Sequence, residues 1–326
     1  MNLTITNQTC NDIVYNGHYL EKLYFGNDLV WEKQHANPYA SEYFTIESLE
    51  NSNTITFTKR ENAPSKTFYY SRDKSSWYSF SSTKNITLNK NAKLYIRSDY
   101  SAISNRSGDS SWYISASKTF NVSGNIMSLY CDYNSVTHDY DDFINKDTLS
   151  NSQSFFNLFY EASTLISAAN LVLPATTISE ECYMQMFYNC TSLTAAPKLL
   201  PATTLAEACY EGMFGHCSSL VSVPTILATT LAYACCMTMF FECTSLVTGP
   251  ELLATTLAAQ CYQSMFSGCT LLSRVTCLAT NTSASGCTYS WMHNVAQSGT
   301  FVKNSSKTWA RSENGIPTGW TVVNAS

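Results

Sequence analysis

Charge is scarce in this chain: of its 326 residues only 13% are Asp, Glu, Lys or Arg. A formal net charge of -5 gives no general attraction for nucleic acid or for an anionic membrane surface. Long apolar runs are missing as well, so no segment has the length needed to cross a bilayer. The opening Met1-Asn2-Leu3-Thr4-Ile5-Thr6-Asn7 has neither a basic start nor an apolar core and is not expected to be a secretory signal. Phosphate-binding glycine loops and the HExxH and GxSxG motifs are absent. What remains is a 44% hydrophobic chain whose polar part is largely Ser, Thr and Asn, which implies a neutral, hydroxyl-rich surface.

The positive signal is repetition. Cys182-Tyr183, Met186-Phe187, Cys190 and Leu193 recur as Cys209-Tyr210, Met213-Phe214, Cys217 and Leu220. They recur again as Cys235-Cys236, Met239-Phe240, Cys243 and Leu246, and as Cys261-Tyr262, Met265-Phe266, Cys269 and Leu272. The step is 27 residues from Phe187 to Phe214 and 26 from there to Phe240 and on to Phe266. A period in the twenties reads as a solenoid. A worn copy, Phe155-Phe156, Phe159 and Leu165, precedes the good ones, and another, Cys287 with Trp291-Met292, follows, as end caps of a stack require.

Eight of the 13 cysteines fall in two columns of this repeat, with seven residues between them. Zinc sites bring ligands in pairs two to four residues apart, a spacing lacking here. Buried reduced thiols packing as small hydrophobes are favoured over disulfides and over metal ligands. Ala162, at the second cysteine position of the worn first copy, fits a packing role.

Each copy is expected to join a short extended part to a short helix. Leu200-Pro201-Ala202-Thr203-Thr204-Leu205 would turn the chain, its threonines capping a helix on Cys-Tyr-x-x-Met-Phe. Cys209, Met213, Phe214 and Cys217 would share an inward face that only stacking can bury. The positions that vary between copies, Tyr188-Asn189, Gly215-His216, Phe241-Glu242 and Ser267-Gly268, would face outward, which makes Tyr188, His216, Phe241 and Glu242 the candidate ligand-facing residues. Adjacent residues such as His216 and Cys217 cannot act as a nucleophile and base, so no enzyme and no cofactor is expected.

Elsewhere the pattern is β. Residues 1–34 carry three strand-like runs, Ile13-Val14-Tyr15, Leu23-Tyr24-Phe25 and Leu29-Val30-Trp31, and read as a small β-meander that needs a partner surface. From 35 to 131, alternating runs such as Thr54-Ile55-Thr56-Phe57 and Lys93-Leu94-Tyr95-Ile96 suit a β-sandwich-like domain. Ser71-Arg72-Asp73-Lys74-Ser75-Ser76-Trp77 reads as a hairpin turn with a packed tryptophan rather than an Asp-box. Trp77, Tyr78, Trp112 and Tyr113 could stack on sugars, though packing is the simpler role. Residues 132–150, with Asp139, Asp141 and Asp142, read as a linker, since a calcium loop's glycine and spacing are missing. Residues 151–299 form the repeat array and 300–326 a C-terminal β cap.

With Phe, Cys and Leu at fixed offsets and Pro197, Pro224 and Pro250 following, the repeat resembles the BspA-like leucine-rich repeat, across roughly 155–295. The resemblance implies an α/β solenoid serving adhesion without catalysis. The run from Ile13 to Lys33 is similar to N-terminal segments of phage virion proteins, where such a piece attaches an appendage to the particle. Phe120 to Leu129, the repeats, and Gly315-Ile316-Pro317 with Gly319-Trp320 resemble proteins of Bacteroides-type gut bacteria and their crAss-like phages.

These features together lead to the expectation of a multidomain β plus α/β-solenoid protein. It would be a phage virion fibre or decoration protein, binding other virion proteins through residues 1–34 and a host surface protein or glycan through the solenoid. A bacterial surface adhesin is the alternative, and homo-oligomerisation is left open.

Overall fold

The computed structural model describes residues 39–99, 102–104, 111–131 and 141–325, with the side chains of 141 and 142 excepted, and before them the backbone of four short strands. The chain divides into two compact units, Met1–Pro38 and Tyr39–Ser326.

In the first unit β1 (Ile13–Tyr15) pairs antiparallel with β2 (His18–Leu20), and β3 (Lys22–Phe25) with β4 (Asp28–Glu32). The expected three-stranded meander is therefore corrected to two hairpins. His18–Leu20, too short to stand out in the sequence, takes up the hydrogen bonds of β1.

The second unit opens with β5 (Phe44–Ser48), β6 (Asn53–Lys59), β7 (Phe68–Ser71), β8 (Tyr78–Phe80), β9 (Lys84–Leu88), β10 (Lys93–Ser98), β11 (Trp112–Ala116) and β12 (Phe120–Asn125). Alternation decides which face goes inside: Ile55 and Phe57 of β6 and Leu94 and Ile96 of β10 are buried, while the residues between them are not. Two sheets result, one in the order β12-β5-β10-β7-β8 and one in the order β11-β6-β9. Aromatic rings join them, with Phe57 lying 5.1 Å from Phe80 and Trp112 4.9 Å from Phe68.

The copies contribute β13 (Leu165–Val172), β14 (Leu199–Leu200), β15 (Thr225–Ile226), β16 (Thr248–Leu252) and β17 (Arg274–Cys277), and β18 (Gly299–Lys303) and β19 (Trp320–Asn324) follow. β14 pairs with β15, and β16 through β19 form a second sheet, all in parallel register. β13 pairs in parallel with β12, so one sheet runs from residues 39–131 into the first copy, across the stretch expected to be a linker. Within that stretch Thr148 already bridges to Thr177, and Leu149 donates to the Thr177 carbonyl at 2.8 Å.

The expected α/β solenoid is overturned by the backbone. Among the described residues there is no α-helix, only two 3-10 turns at Ile126–Leu129 and Asp141–Asn145, and the fold is β-rich, made of several small sheets. The Cys-Tyr-x-x-Met-Phe segments are chains of tight turns. In the second copy Met184, Met186, Tyr188 and Cys190 donate their N–H to the carbonyl three residues back. The residues between them, Tyr183, Gln185, Phe187 and Asn189, donate to Cys209, Glu211, Met213 and Gly215 of the next copy at 2.8–3.0 Å. Every fourth residue takes a left-handed conformation, as at Glu181, Gln185 and Asn189 (φ 53–59°), which breaks any helical run.

Distance explains the outcome. Rings at equivalent positions of successive copies lie 5.2–5.8 Å apart from Phe159 through Phe187, Phe214 and Phe240 to Phe266. α-Helices cannot pack closer than about 8 Å, whereas hydrogen-bonded extended chains sit about 4.8 Å apart. The threonines expected as helix caps instead lie exposed at a bend, where Thr204 bridges to Thr230 and Thr256 to Asn281.

Both ends of the turn ladder are closed. At its start Ile103 and Ile114 donate N–H groups to the carbonyls of Ser154 and Leu158, at 3.1 and 2.7 Å. At its end the Asn314 side chain accepts the Ser290 N–H at 2.8 Å, and Trp291 Nε1 donates to the Gly315 carbonyl at 2.7 Å. The interior is arranged in columns. Each cysteine of the second column donates its S–H to the phenylalanine carbonyl of the copy before, Cys190 to Phe159, Cys217 to Phe187, Cys243 to Phe214 and Cys269 to Phe240, at 3.0–3.1 Å. Ala162 occupies that position in the first copy, which has no earlier phenylalanine carbonyl to bond.

Two predictions follow from the packing. The 12 described cysteines are free and buried, so native protein should react slowly with a thiol reagent and fully once denatured; fast native labelling would contradict the columns. Tyr183 and Tyr210 are buried and stacked 5.9 Å apart, yet neither hydroxyl has a hydrogen-bond partner. Tyr210→Phe keeps the ring and removes a desolvated hydroxyl, so it should raise stability by about 1 kcal/mol in a denaturant melt. A loss of that size would reveal a bond to the hydroxyl.

Candidate functional site

Between the buried phenylalanine and the second cysteine lie two neighbouring positions that reach the surface at Tyr160-Glu161, Tyr188-Asn189, His216 and Phe241-Glu242, while Gly215 and Ser267 are buried. At the first of them Tyr160 and Tyr188 stack in parallel, with ring centroids 5.4 Å apart and planes 5° from parallel. The next copy has Gly215 there. A Cβ at Gly215 would stand 2.9 Å from Tyr188 Cε2, so only glycine lets the tyrosine ring lie across it. His216, at the second position, carries the row onward: its ring meets Tyr188 edge-on at 5.0 Å and Phe241 edge-on at 5.2 Å. Its Nδ1 lies 3.0 Å from Glu242 Oε2. The left-handed backbone at His216 (φ 60°) and Glu242 (φ 56°) belongs to the every-fourth rhythm of the ladder and turns both side chains out.

Thus Tyr188, His216, Phe241 and Glu242, singled out because they vary between copies, come together in one row. Tyr160 and Glu161 of the worn first copy extend it, and they went unrecognised because that copy lacks its cysteines. Tyr160 is shifted up by burial and by the neighbouring Glu161, and Tyr188 by burial and Tyr160.

The face is acidic over its first four copies. Its turn segments carry Glu161, Glu180, Glu181, Glu207, Glu211 and Glu242 but no Lys or Arg, and the basic residues between 151 and 297 are Lys198 and Arg274, outside those segments. Burial, and then the charge of Glu181, push the Glu211 carboxyl up to about 7. The side chains of Glu181 and Gln153 are hydrogen-bonded to each other.

A second surface was not foreseen. The outer side of the β16–β19 sheet holds a shallow groove of about 450 Å³ lined by residues including Glu251, Arg274, Thr276, Thr300, Val302 and Val323. A smaller one of about 230 Å³, lined by Thr225, Ile226 and Pro250 among others, shares Glu251. The alternation in Arg274-Val275-Thr276 and Thr300-Phe301-Val302 was the available signal, but which outward residues are neighbours depends on the parallel register.

The other flagged residues are placed as follows. Trp112 is buried, and Tyr113 lies under Arg60 at 5.1 Å. Trp77 is half-buried, with Arg97 4.0 Å above its ring and Tyr43 at its edge, while Tyr78 is exposed. Asp73 accepts bonds from Ser71, Ser75 and Ser76, which hold its carboxyl well below the usual range and shape the turn between β7 and β8. Asp139 and the side chains of Asp141 and Asp142 lie outside the described residues. Among the described residues no three His, Cys, Asp or Glu side chains gather as a metal site. Burial shifts the thiols of the second column upward, Cys217 and Cys269 to about 12, so they are poor nucleophiles. Comparison with family models, curated proteins and solved structures finds no match for the chain.

The Glu211 carboxyl predicts a pH effect. Its ordinary value is 4.5 and its folded value about 7, so between these limits the folded chain holds a proton that the unfolded chain has lost. Stability should therefore fall as pH rises from 4.5 through 7. Glu211→Gln should flatten that part of a stability–pH profile, and an unchanged slope would count against the assignment.

Proposed function

We propose that the protein is a non-enzymatic structural component of a phage virion, of the fibre or decoration type, whose stacked copies present a surface for attachment to the host. The observation that carries this reading is the separation of frame from surface. Residues that repeat are buried and locked by backbone bonds within and between copies, while residues that change are gathered on one outward row. A rigid support with a variable face is what recognition needs, because little ordering entropy is lost on contact. Residues 1–38 form a compact unit of their own, which suits attachment of the remainder to a particle through the segment that resembles virion N-termini.

The test is localisation. Antibody labelling under electron microscopy should place the protein on intact particles, and a chain lacking residues 1–34 should fold but fail to be incorporated. Labelling confined to the bacterial envelope, or unchanged incorporation of the shortened chain, would overturn the proposal.

A further inference from the structure

We propose that the acidic turn face, which carries Glu181 and Glu211 as well as Glu161 and Glu242 of the Tyr160–Tyr188–His216–Phe241 row, is a docking surface for an extended polypeptide segment rich in Lys and Arg. This names the partner class for the display surface argued above and rests on that reading.

Charge complementarity is the first argument. Four successive copies each contribute one of these carboxylates, and no Lys or Arg lies on the turn segments to neutralise them. The one group in the row able to carry positive charge, His216, already faces Glu242. Arg60, which acts on Tyr160 from outside the turn segments, is a cation at its edge, and a predominantly acidic surface concentrates ligands of the opposite sign.

The second argument is an unsatisfied acceptor. Gln153 is 6% exposed, its Nε2 donates to the Glu181 carboxylate, and its Oε1 has no partner. The face is thus rich in acceptors and poor in donors, and Lys and Arg side chains are donors without acceptors. Burial and Glu181 hold the Glu211 proton on, and an arriving cation would release it.

The third argument is spacing. Copies repeat at 5.2–5.8 Å along the phenylalanine ladder, and alternate side chains of an extended strand lie about 6.6 Å apart, so every second residue of a segment running along the stack comes near a new copy. A glycan is less well served. Sugars stack on free aromatic faces, and here Tyr160 and Tyr188 turn theirs toward each other, while His216 and Phe241 pack edge to face.

Fluorescence anisotropy of the full chain with labelled octalysine, and with octaglutamate as the counter-probe, decides the matter. Octalysine should bind, more weakly as salt is added, and octaglutamate should not. The variant E161Q/E181Q/E211Q/E242Q should lose about tenfold in affinity, and Glu242→Gln alone, at an exposed side chain, about twofold to fivefold. The control E42Q/E47Q/E61Q/E251Q removes four carboxylates outside the turn segments and should bind like the parent. Absence of octalysine binding, or equal losses in both sets, would overturn the surface. Absence of the protein from particles would overturn the virion reading instead and leave this measurement to stand alone.

Discussion

The second unit depends on how the turn segments divide their backbone hydrogen bonds. Alternate N–H groups close the local turn, and those between reach the next copy, as Tyr183 does to Cys209 and Phe187 to Met213. A helix would spend every N–H within itself and leave copies to stack through side chains alone. The ladder ties each copy along its whole length to its neighbour, at a spacing that the parallel strands on the other side can match. Strand side and turn side then rise together.

The interior follows from that spacing. Identical residues land above one another, so aromatic rings meet face to face and form continuous stacks. The second cysteine column has a specific task, because its S–H supplies a second donor to a buried phenylalanine carbonyl that already accepts the N–H of its own copy's cysteine. Such a stack has two open ends, and each is met by polar groups from outside the repeat: the N–H groups of Ile103 and Ile114 at one and the Asn314 side chain at the other. The β-rich residues 39–131 therefore serve as the cap of the stack.

The candidate surface is the outward consequence of the same ladder. Left-handed positions recur every fourth residue, and at one of them His216 meets edge-on the Tyr188 ring that lies across Gly215. The row was legible in part. Variation among copies pointed to Tyr188, His216, Phe241 and Glu242, but their order, the edge-on contacts of His216 and the link from Glu181 to Gln153 depend on neighbours 25 to 28 residues away in sequence. The groove on the β16–β19 sheet was illegible for the same reason.

By itself the sequence determined the period and the identity of the buried columns, because a repeated packing environment demands the same side chain each time. It did not determine the backbone. Cys209, Met213, Phe214 and Cys217 satisfy a helical inward face as well as a turn ladder, and the helix is the local solution when neighbours are ignored. Only the tertiary structure set the copies 5.2–5.8 Å apart at their phenylalanines, too close for helices and right for shared backbone hydrogen bonds, and so turned an expected α/β solenoid into a β-rich stack.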